Sequence, residues 1–309
     1  MLNFLFAFDQ NYNIQGSVSI YSLLENLENK VNVFVILDSS NKDFTFPELI
    51  RKHKNLNELI IKEIDTDNEF YNVDTSHVSK ATFYRLYISS LFEQEEINLI
   101  YLDSDIVCMS NPTNKIISTF KSMKVEEKFV AFADEFYRYQ NDEPFLRLSM
   151  KGNKYFNAGV MFVDLKLWKK KKYSEKSIAL IEVLKDKAEF WDQDILNSLV
   201  DGDYLSIDNN LNYRTAGINV SEPSGDFLFV HYSGKSKPWD VGGIFEELAL
   251  LYHDYYQLLF EKKYHITSKN RKNSIKKLIK RLKFLRLISF DNYLRYLFKS
   301  IFVIINKGK

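Results

Sequence analysis

The chain has one cysteine, Cys108, in 309 residues, so no intramolecular disulfide can form, and the apolar neighbours of that thiol suit a buried side chain rather than a nucleophile. A reducing, intracellular setting is expected. Glycine and proline are scarce (10 and 5), and no repeat, low-complexity tract or Gly/Ser linker interrupts the sequence, which argues against a disordered or modular build. No stretch approaches the roughly 18 apolar residues of a membrane-spanning helix. The opening residues, Met1 to Phe8, carry no basic leader or cleavage site, and their apolar run is strand-length, so they are expected to form the first core strand.

What is present is a hydrophobic fraction of 45% and an aromatic fraction of 15%, which suits one large α/β domain with an appendage. The net charge of +1 hides an asymmetry. Residues 262–309 hold 15 Lys/Arg against one acid, while the remainder holds 27 basic and 40 acidic residues, and this contrast places a boundary near residue 261.

Strand-like segments at Leu2–Phe8, Val31–Leu37, Glu58–Ile64, Asn98–Leu102, Phe129–Ala133, Tyr155–Asp164 and Phe227–Val230 alternate with helical spacing at Ser17–Glu28, Phe46–Lys54, Thr82–Leu91, Tyr173–Lys187 and Asp192–Leu199. That alternation predicts βα units and a mostly parallel sheet. A glycine inside the strand Tyr155–Asp164 marks a place where another group must come close.

The fourth strand closes on Asp103-Ser104-Asp105. Alternate residues of a strand share a face, so the two carboxylates are expected to converge on one hard divalent cation at the sheet's carboxyl edge, where open α/β sheets receive phosphate-bearing ligands. Asp-x-Asp alone arises by chance. The apolar run before it and Ile106-Val107 after it put the acids at a buried edge, where a cation relieves the cost of unpaired negative charge. His231 stands at another strand end, and the Gly-x-x-Lys-Pro-Trp just beyond it favours a ligand over a core histidine.

Six segments in order resemble family 8 of the retaining nucleotide-sugar glycosyltransferases. They are Phe8-Asp9-Gln10-Asn11-Tyr12, Ser79-Lys80-Ala81-Thr82-Phe83-Tyr84-Arg85-Leu86, Tyr101-Leu102-Asp103-Ser104-Asp105, Phe156-Asn157-Ala158-Gly159-Val160, Asp192-Gln193-Asp194-Ile195-Leu196-Asn197 and the run from His231 to Trp239. The resemblance spans about residues 1–240 and implies a GT-A type, Rossmann-like mixed sheet flanked by helices, and the charge boundary extends that expected catalytic domain to residues 1–261. The resemblance also implies a UDP-sugar donor, a divalent cation (Mn2+, or Mg2+) and hexose transfer with retention at the anomeric carbon. One departure is that Gln10 stands where some members carry a second acid.

On that resemblance Asp103, Asp105 and His231 are the metal ligands, while Asp9 and Asn11 meet uracil and ribose. Ser104, Lys80 and Arg85 are counted with the donor-binding residues, and Asp134, Asn157, Asp192 and Gln193 suit sugar hydroxyls. Gly234 would let the backbone approach the phosphates, and Lys237 would add a second positive charge beside the departing diphosphate. Retention needs either a covalent glycosyl-enzyme or attack on the face the diphosphate leaves. Gln193 falls near the anomeric carbon and an amide is a poor nucleophile, so same-face attack is expected, with Asp192 the carboxylate available to a covalent route.

In the basic tail, Ile275, Leu278, Ile279, Leu282, Leu285 and Ile288 recur at helical spacing among lysines and arginines, and Phe290, Tyr293, Leu294, Leu297, Phe298 and Ile301 continue the pattern. Residues 262–309 are therefore expected to form a basic amphipathic helical module on an anionic membrane surface, at the inner face of the cell membrane. The competing reading packs those apolar faces on the catalytic domain. Nucleic acid is not expected as a partner, since no binding motif accompanies the charge. The acceptor expected is a lipopolysaccharide or another glycolipid; the alternatives are a protein acceptor or a nucleotide-sugar-binding protein without catalysis.

Overall fold

The computed structural model describes residues 1–65, 79–93, 97–135, 143–216, 227–246, 248–268, 270–285 and 290–306. Two compact units are present: the first takes in the chain up to Tyr213 and the strand ending at His231, and the second holds Arg214 and the chain from Tyr232 onward.

The β-branched and aromatic runs form strands. These are β1 (Asn3–Ala7), β2 (Val31–Asp38), β3 (Leu56–Ile64), β4 (Asn98–Leu102), β5 (Ile106–Cys108), β6 (Val130–Asp134), β7 (Phe156–Asp164), β8 (Leu205–Ile207), β9 (Tyr213–Arg214) and β10 (Phe229–His231). Seven build one sheet in the order β3-β2-β1-β4-β7-β6-β8, and β5-β10-β9 form a second. The large sheet is mixed. β1 runs parallel to both β2 and β4, whereas β7 runs antiparallel to β4 and β6. The chain moves outward from β1 to β3 and then returns to β4 on the other side of β1, which makes the β1/β4 edge a topological switch point. Asp9 and Asp103 lie just past the ends of those two neighbouring strands.

Two expectations change in the structure. The helix expected at Thr82–Leu91 is a 3-10 helix, Lys80–Tyr87, running into one α-turn, Ile88–Leu91. Phe83 to Tyr87 are all buried, so the segment is enclosed on every side instead of presenting one amphipathic face. The acids also lie elsewhere than strand alternation placed them: β4 stops at Leu102, and residues 103–105 are a turn closed by a hydrogen bond from Ile106 N–H to the Asp103 carbonyl at 3.2 Å. Turn geometry, not the pleat, brings the two carboxylates together.

The second unit has its own core, formed by Val241, Ile244, Tyr264, Ile266, Leu278, Tyr296, Val303 and Ile304. The charge boundary near residue 261 runs through that core. The helices Arg271–Leu285 and Phe290–Ile305 turn Leu278, Tyr296, Val303 and Ile304 inward, yet leave Ile275, Ile279, Leu282, Phe298, Ile301 and Phe302 exposed. Arg286, Ile288 and Lys309 lie outside the described residues. Among the described residues no helix is long and apolar enough to cross a membrane.

Candidate active site

Three ligand atoms gather where the sheets of the first unit meet: one each from Asp103, Asp105 and His231, all within 4.8 Å of one another. His231 ends β10, and the two acids lie in the turn between β4 and β5. Asp103 N–H donates to the Gly159 carbonyl of β7 at 2.9 Å, and His231 is opposite Ile106 in the antiparallel β5–β10 pair. Gly159 is required, because a Cβ there would lie 2.3 Å from Cε1 of His231, so the imidazole packs on bare backbone. The glycine signal in the sequence thus has a specific cause.

His231 is buried, and its Nδ1 pairs with Oδ1 of Asn212 at 2.9 Å. Because Nδ2 of Asn212 donates to Oδ1 of Asn157 at 2.9 Å, the Asn212 oxygen is turned to the ring and Nδ1 is the donor. In the neutral ring Nε2 then carries the lone pair. It lies 3.3 Å from Asp105 Oδ1 and 3.8 Å from Asp103 Oδ2.

Arg85 is not on a solvated face but is 5% exposed. Its guanidinium donates to Asp103 Oδ1 at 2.7 Å and to the Ala158 carbonyl at 2.6 Å, and stands over the Tyr101 ring at 4.2 Å. Its Nε is 2.8 Å from Asp192 Oδ2, although neither of those two atoms forms a hydrogen bond. The contact is ionic and misaligned for hydrogen bonding. Burial first, opposed by Arg85 and reinforced by Asp103, pushes the Asp192 carboxyl up to about 7.

Gln193, next to Asp192 in the helix Trp191–Val200, is fixed at both ends of its amide. Oε1 accepts from Asn157 Nδ2 at 3.0 Å and from Ala158 N–H at 3.2 Å; Nε2 donates to Glu135 at 3.0 Å and to the Tyr155 hydroxyl at 3.2 Å. Asp194 serves structure instead, accepting from Tyr155, Arg147 and the N–H groups of Glu189 and Phe190.

The remaining expected residues sit apart from this network. Asp9 caps a short 3-10 helix through Asn11 N–H and accepts from Ser79, while the Asn11 side chain is exposed. Asp134 accepts from the Tyr204 hydroxyl, Lys80 is half-buried at the start of its 3-10 helix, and Ser104 is half-buried in the acidic turn. Gly234 and Lys237 belong to the second unit. There Gly234 has φ of +83°, which favours glycine, and Lys237 Nζ donates to the Tyr232 carbonyl at 2.6 Å. Glu135, Tyr155 and Asn212 were not singled out from the sequence. Only Glu135 carried a signal, as a second acid beside Asp134 at a strand end.

The family model described as glycosyl transferase family 8 matches residues 3–242. The chain belongs to glycosyl transferase family 8. A lipopolysaccharide 1,2-glucosyltransferase of Escherichia coli is 30% identical over 257 residues, covering 77% of this chain and 73% of that protein. A lipopolysaccharide 1,3-galactosyltransferase of Salmonella typhimurium is 26% identical over 259 residues, covering 79% and 74%. A crystal structure of galactosyltransferase LgtC, in complex with donor and acceptor sugar analogues, matches with a TM-score of 0.69 at 19% identity, covering 84% of this chain and 96% of that one. The fold is therefore of GT-A type, and the family 8 chain is a hexosyl-transferring enzyme.

The donor set fits the cation the family implies. Two carboxylates and one imidazole lone pair, with Arg85 engaging Oδ1 of Asp103 and leaving Oδ2 toward the ring, form a mixed O/N shell suited to manganese or magnesium more than to calcium. A neutral imidazole pointing its lone pair between two carboxylates is electrostatically unfavourable on its own. A divalent ion converts that repulsion into coordination.

Proposed function

We propose that this family 8 enzyme transfers a hexose, galactose or glucose, from a UDP-sugar to a lipopolysaccharide or another cell-surface glycolipid, with retention of configuration and dependence on Mn2+. The observation that carries this reading is the Asp103–Asp105–His231 cluster with Nε2 of His231 turned to the acids. The names of the relatives support the hexose and the acceptor class.

A cation held by Asp103, Asp105 and His231 would neutralise the charge that develops on the departing diphosphate. Arg85 holds Asp103 in place and keeps its positive charge beside Asp192. Asp192, Asn157 and Asp134 offer acceptors and donors to sugar hydroxyls, and Gln193 is the residue proposed for the reacting carbon, its amide fixed in one orientation. Asp9 and Asn11 are assigned to the nucleoside, with Lys80 and Ser104 on the donor side. Gly234 and Lys237 are assigned to the phosphates. Same-face attack is the reaction course we favour, because among the described residues the hydrogen bonds to Gln193 fix its amide and none activates it as a nucleophile.

Residues 262–309 of the second unit are proposed to rest on the anionic inner face of the cell membrane, which would bring the enzyme to a lipid-borne acceptor. The test of the function is a panel of UDP-sugars incubated with Mn2+. One UDP-hexose should be hydrolysed, with loss of activity on chelation and in Asp105→Ala. Absence of metal-dependent hydrolysis across the panel would overturn the reading.

A further inference from the structure

Four hydrogen bonds run head to tail through the first unit. Nδ1 of His231 donates to Asn212, Nδ2 of Asn212 to Asn157, Nδ2 of Asn157 to Gln193, and Nε2 of Gln193 to Glu135, at 2.9, 2.9, 3.0 and 3.0 Å. All five side chains belong to one unit, and Glu135 and Asn212 are only 3% and 1% exposed.

The direction of the chain is over-determined. A carboxylate accepts and does not donate, so Glu135 draws the NH2 end of Gln193 toward itself. Tyr155 gives its single hydroxyl proton to Asp194, which leaves it only an acceptor for Gln193. Backbone N–H groups, which only donate, hold Gln193 Oε1 from Ala158 and Asn157 Oδ1 from Gly159 at 3.2 and 3.0 Å. Turning any one amide over would set like groups against each other at both its ends, and each buried mismatch costs about 1–3 kcal/mol.

We propose that Glu135 and Asn212 are positioning residues that join the metal-facing histidine and the reaction-side amide in one polarised relay. Glu135 anchors the amide end. Asn212 fixes the His231 tautomer, so that the lone pair of Nε2 faces Asp103 and Asp105. No proton moves along the relay; its effect is orientation. The proposal rests on the reading of His231 and Gln193 given above, but neither Glu135 nor Asn212 is assigned by that reading.

Three measurements test it. In metal-free protein labelled with 15N at histidine, held alkaline enough that the ring carries a single proton, the ring signal absent from His231→Gln should report the Nδ1–H tautomer. An Nε2–H ring in the wild type would overturn the relay. Asn212→Leu should mix the tautomers and weaken Mn2+ binding about 10- to 100-fold by calorimetry without donor; unchanged tautomer and affinity would remove Asn212.

In donor hydrolysis Glu135→Gln should lower kcat at least about tenfold with KM for the donor within about twofold. The same substitution on a Gln193→Ala background should add nothing. Wild-type kcat, or effects that multiply, would show that Glu135 does not act through Gln193. If Glu135→Gln lowers the melting temperature, Glu135→Asp is judged on the same two readouts. A wild-type protein that hydrolyses no UDP-sugar would sink the functional reading alone, because the tautomer measurement needs neither donor nor metal.

Discussion

In the unit that ends at His231, Arg85, Glu135, Asn157, Asp192 and Asn212 are buried and linked to Asp103, Gln193, Arg85 or His231. In the unit that begins at Tyr232, the buried His253 and His265 lie instead among aromatic rings, with nitrogens tied to backbone and tyrosine. His253 Nε2 meets the Pro238 carbonyl at 3.1 Å, its Nδ1 faces the His265 N–H, and His265 Nδ1 meets the Tyr252 hydroxyl at 2.6 Å. Burial of polar groups is common to both units, and what separates them is where the hydrogen bonds end. In the first, one set of them ends on His231 and Gln193, while in the second the two histidines bond to backbone and tyrosine within their own core.

The largest effect that would break the contrast is expected at Gly159. Gly159→Ala puts a methyl group where the His231 ring now lies, at 2.3 Å from Cε1, and the ring must leave its place between Asn212 and the acids. Turnover should fall by about a thousandfold, comparable with loss of a transition-state electrostatic contact. Mn2+ binding by calorimetry should weaken in parallel. Near-normal activity in Gly159→Ala would mean that the ring position is not needed.

How much of this was legible in the sequence differs between the units for the same physical reason. Strand positions showed clearly, with Asn98–Leu102 found at its expected limits, because apolar runs bounded by polar turns leave few alternatives. Asp103, Asp105 and His231 stood out as residue types at strand ends, whereas Arg85 and Gln193 were singled out on the resemblance to family 8. Asn212 was not, since a lone asparagine between Leu211 and Tyr213 has no pattern to mark it, and its partners are 19 and 55 residues away.

The second unit shows the converse failure. Its charge asymmetry was plain, but Phe290–Ile305 is apolar around most of its circumference, so periodicity could not say that Tyr296 and Val303 turn inward while Phe298 and Phe302 turn out.

A smaller effect sharpens the contrast by pH. Burial first, then the Pro238 carbonyl opposing and Lys299 adding, lowers the His253 pKa to about 4; burial, His253 and Lys299 take His265 to about 3. The unfolded chain protonates its histidines near pH 6.5 while the folded unit resists, so folding stability is lost as pH falls from about 6.5 through 4. His253 alone contributes about 3 kcal/mol to that loss. Denaturant melts followed by the fluorescence of a Trp168→Phe and Trp191→Phe variant, which keeps Trp239 buried beside His265, should show the drop between pH 7 and 4.5. The same stability at both values would show that the histidines titrate freely.

The smallest effect concerns the outward faces of the two last helices. Cutting the chain after Glu261 does not test lipid binding cleanly, because it removes Leu278, Tyr296, Val303 and Ile304 from a core shared with Val241 and Ile244. Point changes on the exposed side do. Phe298 and Phe302 are 65% and 59% exposed, beside Ile301 and Ile305, and Lys272, Lys276 and Lys280 are exposed on the preceding helix. An exposed phenyl group that enters the headgroup boundary contributes up to about 1.5–3 kcal/mol, and each nearby lysine about 1 kcal/mol at an anionic surface. The double variant Phe298→Ser and Phe302→Ser should therefore sediment with anionic vesicles at least about tenfold less than wild type, with its melting temperature unchanged, since neither ring belongs to the core. High salt should weaken binding of the wild type by screening the lysines. Equal sedimentation of the two proteins would mean that these exposed rings do not meet lipid, and the second unit would then lack the contact that distinguishes it from an ordinary packed appendage.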